Sequence, residues 1–132
     1  MAKSKVYEFD PIIYPMRLWI SVKPTTEEIQ KDFFVFDEND EEVDTIEPFD
    51  DTTIARTFSV AHRKSTWMGC YIAVLKPRQC DAGIITHESV HVTDWMCDHF
   101  GLRGFSFMDG EARAYFAQWV ARCIDNVLKG RV

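Results

Sequence analysis

Apolar residues along this chain fall into two regimes, and the change of period predicts its elements. Ile12 to Lys23 (IIYPMRLWISVK) is dense in β-branched and aromatic residues and predicts a strand, with Pro15 near its start, where a strand end or bulge tolerates it. Pro24 to Glu28 reads as a helix start: Thr25 and Glu28 fit a capping box, and Ile29, Phe33 and Phe36 follow at helical spacing. Thr53 to Arg63 alternates around Phe58, Val60 and His62, and Trp67 to Leu75 is nearly continuously apolar. Together they predict two paired strands around a turn at Lys64–Thr66. After Pro77 the period becomes helical. Asp81 to Phe100 contains no proline and stops at Gly101. From Asp109 onward, Ala112, Phe116, Trp119, Val120, Cys123, Ile124 and Val127 form the core stripe of a second long helix. The order predicts an α+β domain: a small, mostly antiparallel sheet of about three strands with helices on one face.

Composition sharpens this without changing it. A chain of 132 residues, 46% hydrophobic and with ten Phe and four Trp, fits one domain over residues 1–132 and excludes wholesale disorder. No apolar run approaches the length of a bilayer span, and the N-terminus leads into no signal-type stretch. Cysteines 70, 80, 97 and 123 have no C-x-x-C spacing, which argues against a zinc ribbon or redox motif and points to reduced, buried thiols in a cytoplasm. The net charge of −6 is unevenly spread. Nine acids and no base lie between Asp37 and Asp51, leaving twelve acids to fifteen bases elsewhere. That acidic segment, 37–51, reads as a solvated loop dispensable for folding, offering only Val43, Ile46 and Phe49 for burial. Without a stripe of Lys and Arg, a nucleic-acid partner is not expected.

The residues that carry chemistry are His87-Glu88-Ser89-Val90-His91, an H-E-x-x-H. Residues four apart share a helical face, so both imidazoles can reach one ion. Glu88 is offset by about 100° and can face a water on that ion as general base without occupying a coordination position. The ion this pattern suits is zinc, whose catalytic sites take three protein ligands and keep a fourth position open. Candidates for the third ligand are Asp94, Cys97, Asp98, His99 and Glu111. Cys97 requires the helix to break near Asp94, and no Gly precedes Gly101; Asp94 and Asp98 lie too far along the axis, and Asp94 suits a partner orienting His91 better. Glu111, in the first turn of the next helix, is either that ligand or an acid favoured by the helix dipole. Tyr115, one turn from Glu111, is the candidate donor to a developing oxyanion, with His62 and His99 as alternatives. In zincins a sheet edge binds peptide as an added strand, and Trp67–Leu75 is the candidate for that role.

H-E-x-x-H followed by the helical segment Glu111–Tyr115 (EARAY) resembles the gluzincins, zinc metallopeptidases whose third ligand is a Glu on the following helix. Pro11–Val22, His87–Trp95 and Asp109–Tyr115 further resemble a family of small proteins from bacteriophages and prophages. The resemblance implies a zincin-like fold, a zinc ion on His87, His91 and Glu111, and a peptide or protein substrate. No N-E-x-x-S-D segment is present, and the chain is too short for the second lobe of larger gluzincins. Two functions follow as expectations. One is a zinc-dependent hydrolase of peptide or amide bonds with Glu88 as base on zinc-bound water. The other is a non-catalytic zinc protein that binds and inhibits a host factor.

Overall fold

The computed structural model describes residues 3–101 and 110–132. In chain order it contains β1 (Val6–Phe9), β2 (Arg17–Val22), α1 (Thr26–Asp32), β3 (Phe33–Phe36), β4 (Ala55–His62), β5 (Met68–Val74), α2 (Ala82–Phe100) and α3 (Glu111–Leu128). The strands form one five-stranded sheet in the order β1-β2-β5-β4-β3. β2 and β5 pair in parallel and the other three pairs are antiparallel. The α+β class therefore stands, while the sheet is larger than three strands and mixed.

Period-two alternation on the central strands divides the molecule into layers. Leu18 and Ile20 of β2 and Cys70, Ile72 and Val74 of β5 face α2 and α3, where Val92, Met96, Phe116, Val120 and Ile124 meet them. Trp19, Tyr71 and Ala73 face the other way, toward Ile29 of α1 and toward Phe33, Val35, Phe58 and Val60. Buried on both faces, β2 and β5 read as continuous apolar runs in the sequence for this reason. Ser21, the polar residue in the buried stretch of β2, shares a hydrogen bond with the Tyr71 hydroxyl. At Gly69 a Cβ would run into the Arg17 carbonyl oxygen, so the close start of the β2–β5 pair needs glycine there.

The hairpin β4–β5 and both long helices lie where the periodicity predicts them. The Thr25 capping box is formed, Asp81 caps α2 by accepting from the Ile84 N–H, and Gly101 ends α2 at φ 64°. Three expectations are corrected. α1 stops at Asp32, because Phe33 takes extended dihedrals (φ −134°, ψ 142°) and the run Phe-Phe-Val-Phe pairs with β4; aromatic and β-branched residues gain more from a sheet than from a further helical turn. β1 pairs along the outside of β2, outside the run read as a strand. The acidic segment is not a loop detached from the core: Ile46 is 3% exposed inside the α1-side cluster, with Phe49 packed against that cluster. Its start also closes the sheet edge, since Val43 N–H donates to the Val35 carbonyl and Phe36 bridges Glu42. No helix among the described residues is long and apolar enough to cross a membrane.

Candidate functional site

The H-E-x-x-H residues sit in the second and third turns of α2, on the flank that overhangs β4. Helical periodicity turns Val92, Met96 and Ser89 into the protein and leaves His87 and His91 exposed on the rim. Their Nε2 atoms lie 3.2 Å apart, with the rings edge-to-face at 4.8 Å between centroids. Glu88 behaves differently. It points inward, is 4% exposed, and its Oε1 accepts a hydrogen bond from Thr57 Oγ1 of β4 at 2.9 Å. Its Oε2 lies 4.0 Å from His87 Nε2.

These residues share a cavity of about 520 Å³. His87, His91 and Trp95 form one wall, Thr57, Ser59 and Cys70 the floor, and Phe36, Asp37 and Glu38 the wall opposite, with Arg56 also lining it. The opposite wall is a tight turn following β3. Asp37 Oδ1 accepts from the Asn39 and Glu41 N–H groups, and Asp40 takes a positive φ of 59°. The tip of this turn reaches α2, where Asp40 Oδ1 lies 3.6 Å from His99 Nε2. A second polar tie joins helix and sheet, from Trp95 Nε1 to Ser59 Oγ at 2.8 Å.

The other expected site residues are placed elsewhere. Glu111 opens α3 and is exposed; the beginning of that helix comes down beside Asp94, where Arg113 Nη2 lies 3.5 Å from Asp94 Oδ1. Among the described residues no group of three or more His, Cys, Asp or Glu side chains converges as a metal site, so Glu111 does not join the histidine pair. Tyr115 is 66% exposed and lines a separate apolar cavity with Pro11, Ile13 and Trp119, so it does not reach the oxyanion position expected of it. Cys97 is buried in the core, and burial raises its thiol pKa; Cys70, on the cavity floor, is raised likewise by burial. Asp98 is exposed, and nothing ties it to the histidines. His62 stacks on Trp19 on the α1 side, and its Nδ1 accepts from the Lys64 and Ser65 N–H groups of the hairpin turn. His99 stacks on Trp95 and bonds the Trp95 carbonyl through Nδ1 at 2.8 Å. β5 is central in the sheet, paired on both sides, so it cannot accept a peptide as an added strand. Asp37 and Glu38 belong to the acidic segment noted in the sequence; Thr57 and Ser59 were not singled out there, although the polar positions alternating with Phe58 and Val60 in β4 are a visible sign of a polar face.

No protein-family model, curated protein or solved structure matches this chain. With no three-residue metal group among the described residues, that result overturns the resemblance to gluzincins and to the phage and prophage family. What remains is the local chemistry of the site.

Proposed function

We propose that this protein is a zinc-dependent hydrolase of peptide or amide bonds, with His87 and His91 as ion ligands and Glu88 as general base. The observation that carries the reading is the 3.2 Å separation of the two Nε2 atoms directly beside a buried carboxylate. Zinc–nitrogen bonds of about 2.0–2.1 Å at a tetrahedral angle put two ligand nitrogens about 3.3 Å apart. Without an ion, the same approach is a hydrogen bond between imidazoles in unlike tautomers. That state leaves a carboxylate 4% exposed, with a neutral hydroxyl and a nearby imidazole as its partners. A buried carboxylate is costly unless a cation compensates it, and an ion between the imidazoles supplies that compensation.

Held by His87 and His91, a zinc ion would supply Lewis acidity toward a bound water and the scissile carbonyl. Glu88 Oε2, held facing the histidines, takes the proton and returns it to the leaving amine. Glu111 stands apart from the pair in this structure and is proposed as third ligand on binding, because α3 packs along α2 and Arg113, two residues after Glu111, reaches Asp94, one turn beyond His91. Binding would have to draw that carboxylate to the pair.

Elemental analysis after zinc reconstitution, combined with cleavage of a peptide library, tests the assignment. One zinc per chain is expected, abolished by His87→Ala and weakened at least about tenfold by Glu111→Ala. Glu88→Gln should keep zinc while cleavage falls by about 10²-fold or more. Zinc well below one per chain in the unaltered protein sinks the reading. Full zinc binding in Glu111→Ala shifts the third ligand to the Asp37–Glu38 wall. If a cellular effect survives Glu88→Gln and is lost in His87→Ala, the metal holds a binding surface for a host factor instead.

A further inference from the structure

We propose that Thr57 is a positioning residue for Glu88, fixing which of its two oxygens faces the histidines. The inference rests on the hydrolase reading above and adds to it a residue outside the helix.

The argument starts from strand geometry. β4 pairs with β5 so that Thr57 stands opposite Ile72, and Ser59 opposite Cys70. Alternation sends Thr57 and Ser59 toward α2 and sends Phe58 and Val60 into the α1-side core. In a helix–sheet contact built mainly of apolar side chains, two successive inward positions of β4 are therefore hydroxyls. Each is bonded to a different turn of the same helix, Thr57 to Glu88 and Ser59 to Trp95. Two such ties fix the rotation of α2 about its axis.

The Thr57 tie does more than fix the helix. A carboxylate on a flexible side chain has two equivalent oxygens and a terminal torsion with broad minima. When Thr57 Oγ1 donates to Oε1 at 2.9 Å, that oxygen is engaged and the plane of the group is set, leaving Oε2 on the side of His87 at 4.0 Å. Threonine suits the task because branching at Cβ stiffens χ1, so its hydroxyl is held in one direction. A hydroxyl is also uncharged. A Lys or Arg in its place would neutralise Glu88 and compete with an ion for it.

A reciprocal pair of substitutions in the full chain tests this. Thr57→Val keeps shape and removes the hydroxyl; Thr57→Ser keeps the hydroxyl and removes the methyl. Each is measured for zinc affinity by calorimetry, for melting temperature, and for affinity of the zinc-loaded protein toward acetohydroxamic acid. That probe binds zinc as an anion and gives its proton to a base beside the ion, so it needs no known substrate. Zinc affinity is expected to stay within about threefold in both variants. Acetohydroxamate affinity should fall about tenfold in Thr57→Val and be retained in Thr57→Ser. In a Glu88→Gln background, Thr57→Val should add no further loss, because Thr57 acts through Glu88.

Wild-type acetohydroxamate affinity in Thr57→Val, with Glu88→Gln impaired, overturns the inference and leaves the hydrolase reading standing. Loss of zinc or of folding in Thr57→Val, or failure of Thr57→Ser to retain affinity, assigns Thr57 a packing role and overturns it equally. Unaltered affinity in Glu88→Gln removes Glu88 as base, and a wild-type chain that takes up no zinc removes the site altogether; either result overturns both readings.

Discussion

The two faces of the sheet are built from the same strands and are used differently. On the α1 side, β4 presents Phe58 and Val60, β5 presents Tyr71 and Ala73, and aromatic contacts link Trp19, Phe33 and Tyr71 at centroid distances of 4.9–5.1 Å. Ile29 and Ile46 close this layer, and its few polar groups, such as Ser21 with the Tyr71 hydroxyl, are paired internally. On the α2 side, β4 presents Thr57 and Ser59 instead, and those hydroxyls meet Glu88 and the Trp95 indole. The first arrangement gains stability by filling space with apolar surface. The second gives up part of that gain to hold a carboxylate beside two imidazoles at the rim of a cavity. Polar residues at inward positions of a helix–sheet contact locate the site better than the exposure of the histidines does.

Phe58 and Thr57 are neighbours on one strand facing opposite layers, so paired substitutions separate the two roles. Phe58→Ala should lower stability by about 3–5 kcal/mol in chemical denaturation, the range for deleting a buried aromatic side chain. Zinc affinity of the folded fraction should be unchanged, in contrast to His87→Ala, which removes zinc. A large loss of zinc affinity in Phe58→Ala would show that the two layers are coupled through β4, and the division between them would fail.

Ile46 sharpens the comparison from within the acidic segment. Ile46→Ala is expected to cost about 2–4 kcal/mol, because this side chain is fully enclosed by the α1-side cluster. A loss under about 0.5 kcal/mol, the level of an ordinary surface change, would return 37–51 to the status of a detached loop.

How much of this was legible in the sequence follows from how local each signal is. α2, its Asp81 cap and the histidine pair depend on spacing within one helix, and the sequence reveals them directly. The β4–β5 hairpin is equally local. β3 was hidden because Phe33 and Phe36 satisfy a helical spacing as well as a strand, and only the β4 partner decides between them. Ile46 was hidden by its acidic neighbours: its burial depends on Phe58 and Ile29, distant in sequence, rather than on local charge density. Thr57 escaped notice because its partner is thirty-one positions away. Tyr115 was placed by its spacing from Glu111 on α3, which says which residues share a helical face but not which side of the molecule that face meets.

The smallest effect concerns the α1 side and its dependence on pH. Glu28 accepts hydrogen bonds from the Ser4 N–H at 2.8 Å and from the Thr25 N–H at 3.2 Å, while its own N–H bonds Thr25 Oγ1. The Ser4 N–H, foremost among the causes, holds the Glu28 carboxyl below its ordinary value of 4.5; burial opposes it, and the Thr25 cap adds a smaller lowering. A carboxyl with a lowered folded pKa binds protons less readily in the folded chain than in the unfolded one. Its contribution to stability is therefore present above about 4.5 and lost as pH falls through the lower folded value. Glu28 is well solvated, so the contribution is small. Glu28→Gln should flatten the acid limb of a stability–pH profile below pH 4.5 and leave the profile near neutrality shifted only by the lost cap. Because this carboxylate and the Lys3 and Ser4 contacts beside it tie the segment before β1 to α1, the variant should also raise hydrogen exchange at the Ser4 amide while leaving that of Val92 and Met96 in α2 unchanged. Equal acceleration in α2 would mean that the two layers open as one unit, and the distinction between a packed face and a functional face would lose its energetic basis.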